Sequence, residues 1–108
     1  MRIVWVSRHE LNQKNHEILR KAFGKYEIVQ YKETVTDVRV LKAFADLNKA
    51  DAYVVVLPPH IIMQLMRIDK RPVYRFIVER NLLKDEVVVT PVGLERIVKI
   101  EITAERIV

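Results

Sequence analysis

Residues 51–60 read Asp51-Ala52-Tyr53-Val54-Val55-Val56-Leu57-Pro58-Pro59-His60. Ala52 to Leu57 is the most apolar run of the chain and the expected central strand. Pro58-Pro59 ends it, because proline lacks the N–H that a sheet ladder needs. Pro59 instead suits the first turn of a short helix running through Met66.

Upstream, the apolar pattern alternates between two periods. Ile3 to Val6 is a short continuous apolar run, as expected for a strand covered on both faces. Leu11, Ile18, Leu19, Ala22 and Phe23 then fall at helical spacing, and Gly24 supplies a C-terminal stop. Tyr26 to Tyr31 reads as a second strand. Asp37 can cap a second helix whose buried stripe is Val38, Leu41, Phe44, Ala45 and Leu47. Downstream, Pro72 opens a fourth strand, Val73 to Val78. Val87 to Thr90 and Ile97 to Ile102 alternate more clearly and predict a hairpin added after the α/β part, with one face in solvent or in a dimer contact. The order β-α-β-α-β-α-β followed by β-β predicts a single α/β domain over residues 1–108. Its expected form is Rossmann-like and three-layered, with a mostly parallel sheet and a C-terminal β-hairpin.

The 108 residues make one domain with a core that needs no staples. Half are hydrophobic and 31% charged, the balance of a globular protein. Cysteine is absent, which excludes disulfides and thiolate metal sites. No apolar run approaches the ~18 residues of a membrane span. The chain opens directly on a strand-like run without a basic-then-apolar leader, so a cytoplasmic location is expected. The formal net charge of +5 favours a polyanionic partner such as nucleic acid, nucleotide or phosphate, or else marks a solvated basic surface. Abundant Lys, Glu, Ile and Val with two glycines suits a thermophile.

In such sheets ligands bind at the carboxyl ends of the strands. The first strand exits into Ser7-Arg8-His9-Glu10, the second toward Lys32-Glu33-Thr34, the third into Pro58-Pro59-His60, and the fourth into Glu79-Arg80-Asn81. Cations, hydroxyls and two imidazoles beside a helix start are chemistry for holding phosphate. Arg8 and Arg80 can give forked hydrogen bonds, Ser7 and Thr34 single ones, and the helix after Pro59 its free N–H groups. His9 can serve as a general acid or base near neutral pH. Each has a plainer reading. Ser7 can simply cap a turn, Arg8 and Arg80 can pair with Glu10 and Glu79, and His60 can be a surface residue. His16 is expected in solvent on the polar side of its helix, and Trp5 in the core. No His and carboxylate pair has ligand spacing, so no metal and no cofactor is expected. G-x-G-x-x-G, G-x-x-x-x-G-K-[ST] and a nucleophile elbow are all absent.

Val4-Trp5-Val6-Ser7-Arg8-His9, Val54-Val55-Val56-Leu57-Pro58-Pro59-His60 and Arg71-Pro72-Val73 together resemble the small CRISPR-associated, CARF-like proteins of the Ser-Arg-His type. These are single-domain relatives of sensor domains that bind cyclic oligoadenylate. The chain departs from that pattern at Glu10-Leu11-Asn12, where relatives often carry Pro-Gly-Ala, and there it is similar to uncharacterised proteins sharing the same opening. The resemblance implies a CARF-like fold and a metal-independent ring nuclease, which switches off antiviral signalling by cutting cyclic oligoadenylate. The ligand's ribose 2′-hydroxyl attacks the neighbouring phosphorus, while the protein supplies in-line positioning and charge stabilisation. On this reading Arg8 is the charge stabiliser, His9 the candidate general acid and Ser7 a phosphate ligand, with Thr34, Pro59, His60 and Arg80 also around the ligand. A ring of identical nucleotides has rotational symmetry, so a homodimer presenting two equal half-sites is expected. The alternatives are a non-cleaving cyclic-nucleotide sponge, a nucleic-acid-binding or regulatory module drawn by the net charge, and a structural dimer without a small ligand.

Overall fold

The apolar runs of the sequence become the inner strands of one sheet. The computed structural model describes residues 1–100 and 105–107. In chain order the elements are β1 (Arg2–Val6), α1 (Gln13–Phe23), β2 (Glu27–Tyr31), α2 (Val38–Leu47), β3 (Ala52–Val55), α3 (Pro59–Ile68), β4 (Val73–Leu83) and β5 (Glu86–Arg96). The five strands lie in the order β2-β1-β3-β4-β5. β1 pairs in parallel with β2 and β3, β3 in parallel with β4, and β4 antiparallel with β5. The result is α/β with a mostly parallel sheet.

Alternate strand residues feed two cores, as the pleat requires. Val4, Val6, Tyr53, Val55 and Val73 pack with Val38, Leu41 and Ala45 of α2 and Ile62 and Leu65 of α3. Ile3, Trp5 and Val54 pack on the opposite face with Leu19 of α1, joined by Phe23, Tyr74, Phe76 and Leu94. Helices therefore cover both faces of the sheet, which explains why β1 and β3 are apolar without alternation.

The helix starts follow local chemistry. Asn12 caps α1 through its side chain on the Asn15 N–H at 2.9 Å, and the Asn15 side chain returns a bond to the Asn12 N–H at 3.0 Å. Gly24 closes α1 at φ +73°, ψ −122°, a conformation closed to residues with a Cβ. Asp37 caps α2, as the sequence indicates. Leu47, expected in the buried stripe, is instead 83% exposed. At 100° per residue it lies about 180° from Val38 and so points away from the sheet.

The hairpin differs from its expected position. It joins β4 to β5 through Lys84-Asp85, where both residues have positive φ (49° and 66°), the geometry of a type I′ turn. Val87 to Thr90 belongs to its second strand. Ile97 to Ile100 is not a strand, although Ile97 is buried and its N–H bonds the Val73 carbonyl at 2.8 Å; residues 101 and 102 lie outside the described residues. β4 continues well past Val78, so Arg80 sits inside a strand opposite Val89, not at a strand exit.

One polar cluster ties the far end of the sheet. Asp69 is buried, accepting the Tyr53 hydroxyl and the Arg71 guanidinium at 2.8 Å. Arg71 also reaches Asp46 of α2 at 2.8 Å and the Ala50 carbonyl at 2.8 Å. It thereby joins β3, the α2–β3 connection and the α3–β4 turn in one network.

Candidate functional site

The order of the sheet fixes where a cleft opens. The chain passes from β1 outward to β2 and then back across β1 to β3, so the connections leave β1 and β3 in opposite directions. A crevice forms at the carboxyl ends where this reversal occurs. A cavity of about 430 Å³ lies there, lined by Val6, Ser7, Arg8, His9, Glu33, Thr34, Val35, Val56, Leu57, Pro58, His60 and Ile61.

The loop after β1 is held from beneath. The Trp5 indole Nε1 donates to the His9 carbonyl at 2.7 Å. Gln30 of β2 donates through Nε2 to both the Ser7 and the His9 carbonyls, at 3.0 Å each. Ser7 Oγ accepts the His9 N–H at 3.1 Å, closing a tight turn. Four hydrogen bonds thus shape three residues, and Ser7, Arg8 and His9 meet the cleft on a fixed backbone. The Arg8 guanidinium, exposed to solvent, donates to Thr34 Oγ1 across the exits of β1 and β2. At the β3 exit, α3 is preceded by Pro58 as its N-cap, which offers no side-chain acceptor to the first amides of the helix. His60 stands in that first turn and is exposed.

The lining mixes two chemistries. Val6, Val35, Val56, Leu57, Pro58 and Ile61 are apolar, with Val56 left 63% exposed just past the end of β3. Ser7, Arg8, His9, Thr34 and His60 supply donors and a positive charge, and Glu33 adds one carboxylate. Such a lining offers hydrogen-bond donors to a phosphodiester and apolar contact to a planar group.

The structure therefore brings together Ser7, Arg8, His9, Thr34 and His60. Pro59 opens α3 without lining the cavity, and Arg80 stands on the β4–β5 hairpin away from it. His16, expected in solvent, is half-buried; its Nδ1 lies 2.6 Å from the Tyr26 hydroxyl, with the two rings stacked. The plainer pairing of Arg8 with Glu10 does not form; Glu10 instead meets Lys32 at 3.2 Å. Trp5 is buried in the core as expected and is also a support of the loop.

Gln30 carries a role that the sequence does not announce, since a strand glutamine is an ordinary surface residue, and Glu33, at the expected exit of β2, lines the cavity. Replacing Gln30 by leucine removes this donor from the Ser7 carbonyl and leaves the His9 carbonyl with Trp5 alone, and is expected to cost about 1–2 kcal/mol in urea unfolding. Gln30→Glu, which repels the same carbonyls, should be worse than leucine.

Among the described residues no group of three or more His, Asp or Glu side chains is placed to hold a metal ion, and no helix is long and apolar enough to cross a membrane. Comparison with known proteins finds no matching family model, no matching curated protein and no matching solved structure.

Proposed function

We propose that the cleft binds cyclic oligoadenylate and cleaves it without a metal ion, with two copies of the chain meeting the ring. The observation that carries this reading is the convergence of Ser7, Arg8, His9, Thr34 and His60 on one cavity whose remaining lining is largely apolar. A nucleotide needs both, phosphate on the donors and base on the apolar residues. The rest comes from the resemblance of the Ser-Arg-His opening to CARF-like ring nucleases.

The chemistry follows from what each group can do. The ligand's own 2′-hydroxyl attacks the adjacent phosphorus, the P–O5′ bond breaks, and a 2′,3′-cyclic phosphate and a free 5′-hydroxyl result. The proton lost from the 2′-oxygen is matched by one delivered to the 5′-oxygen. His9 is assigned the second transfer, and Glu33 is the carboxylate lining the same cleft for the first. Arg8, oriented by Thr34, faces the charge that grows on the phosphoryl oxygens. Ser7 and the first turn of α3 hold phosphate by hydrogen bonds.

Incubation of the purified protein with cyclic tetra- and hexa-adenylate in EDTA tests this directly. Chromatography should show linear fragments ending in a cyclic phosphate. An intact ring with a raised thermal midpoint would leave binding without cleavage, the sponge. An intact ring with no thermal shift, together with a salt-sensitive gel shift on long RNA or DNA, would replace this reading with a nucleic-acid-binding module.

A further inference from the structure

Arg8 and His9 stand exposed on a short loop that belongs to no helix or strand. A loop of this kind is mobile unless its backbone is tied down. Here the ties come from one face of the sheet. Trp5 and Gln30 are direct neighbours across β1 and β2, on the side packed by α1. Each aims an N–H at the same acceptor, the His9 carbonyl, from 2.7 Å for the indole and 3.0 Å for the amide. A carbonyl oxygen has two lone pairs and accepts both. The other Nε2 hydrogen of Gln30 goes to the Ser7 carbonyl, also at 3.0 Å. Both hydrogens of that amide are therefore engaged, which fixes its orientation.

The two ends of the loop are not held alike. The His9 carbonyl keeps a donor if either side chain is lost. The bond from the His9 N–H to Ser7 Oγ lies within the loop and ties nothing to the sheet. Among the described residues the Ser7 carbonyl takes its hydrogen bond from Gln30 alone. That carbonyl belongs to the planar peptide group joining Ser7 to Arg8, so Gln30 sets the plane from which Arg8 leaves the backbone. Just beyond β2, Thr34 Oγ1 accepts from the Arg8 guanidinium. One strand and its exit thus grip Arg8 at both ends, the backbone through Gln30 and the guanidinium through Thr34.

We infer that Gln30 is a positioning residue for the cleavage reaction, setting the place of Arg8 and His9 against the scissile phosphate through the Ser7 and His9 carbonyls. The inference rests on the cleavage proposed above. Gln30 does not line the cavity, so its effect passes through the two residues it holds. A misplacement of about 1 Å at reacting groups costs on the order of 10² in rate. The loss is expected at Arg8 first, because the Ser7 carbonyl has no second donor.

Gln30→Met keeps the length of the side chain and removes both donors. With cyclic tetra-adenylate its single-turnover rate should fall roughly 10–10²-fold, while the Kd for the ring moves less than about threefold. Gln30→Glu, whose carboxylate repels both carbonyls, should be slower still. Trp5→Phe, which leaves the Ser7 carbonyl held, should lose less rate than Gln30→Met. Tyr53→Phe, destabilised at the far end of the sheet, should cut the ring at the wild-type rate, which separates positioning from a general loss of stability. Backbone amide order parameters read the loop without any ligand. Arg8 should give about 0.85 in the wild-type chain and below about 0.6 in Gln30→Met, with Tyr53→Phe like the wild type. A Gln30→Met chain that cuts the ring at the wild-type rate, or that keeps Arg8 as rigid as the wild type does, overturns the assignment. A wild-type chain that leaves the ring whole counts against the cleavage reading instead, and the order parameters then decide whether Gln30 holds the loop.

Discussion

Asp69→Ala is expected to lower the unfolding free energy by about 3 kcal/mol, the cost of leaving a half-buried guanidinium and a buried hydroxyl without their shared acceptor. Tyr53 is fully buried and Asp69 nearly so, and no water-facing geometry is open to the Tyr53 hydroxyl. Arg71 keeps Asp46 and the Ala50 carbonyl, which holds the loss toward the lower end of the range for broken buried pairs. Against a typical total of 5–15 kcal/mol, this is a large share. Urea denaturation measures it, and Tyr53→Phe, which removes one hydroxyl and leaves the ion pair, should lose only about 1 kcal/mol.

The same network sets an acid limit. Burial works to raise the Asp69 carboxyl, but hydrogen bonds from Tyr53 and from Arg71, with the Arg71 charge, outweigh it and hold the group below its ordinary value. Burial and then the Asp69 carboxylate push the Tyr53 hydroxyl up. A carboxyl depressed in the fold contributes stability at all pH above its unfolded pKa of about 3.9. That contribution drains away as the pH falls through the lower folded value. Stability should thus be level from neutrality to about pH 5 and fall steeply below about pH 4. Asp69→Asn, less stable throughout, should show a shallower fall over the same window.

On the proposed ring-nuclease reading, Arg8→Ala is expected to cut the turnover of cyclic oligoadenylate by roughly 10²–10³, the usual loss when one preorganised donor to a developing oxyanion is removed. The substitution touches an exposed side chain at the loop, so the thermal midpoint should hardly move. Arg8→Lys keeps the charge but loses the planar fork, and should fall between. Thr34→Val removes the group that orients the guanidinium and should lower turnover less, by about tenfold. Measured single-turnover rates separate these effects from binding. If Arg8→Ala cleaves at the wild-type rate, Arg8 is not the charge stabiliser.

Much of this arrangement was legible in the residues. Ile3–Val6 and Ala52–Val55 are continuous apolar runs because both faces of the sheet are covered, and Asp37, Gly24 and Pro58-Pro59 mark helix and strand ends through their own backbone chemistry. The exits of β1, β2 and β3 fall on one edge because those strands are parallel, so Ser7, Arg8, His9, Thr34 and His60 could be grouped before any coordinates. The C-terminal hairpin was legible as a hairpin, but its place and strands were not. Glu79-Arg80-Asn81 interrupts the apolar pattern of β4 because that part of the strand has no covered face within one copy. Its turn is made by Lys84-Asp85, neither of them the glycine that usually marks positive φ. Gln30 was equally silent, since its role depends on β2 lying beside β1.

The bond from Trp5 to the His9 carbonyl also has an optical side. Trp5 is the chain's single tryptophan, set edge-on to Phe76 with ring centroids 5.8 Å apart. All indole emission therefore originates from one ring whose N–H is fastened to the loop between Ser7 and His9. Any molecule that shifts the His9 carbonyl changes the polarity sensed by that fluorophore, and the cleft's occupancy is written into the native spectrum without a label.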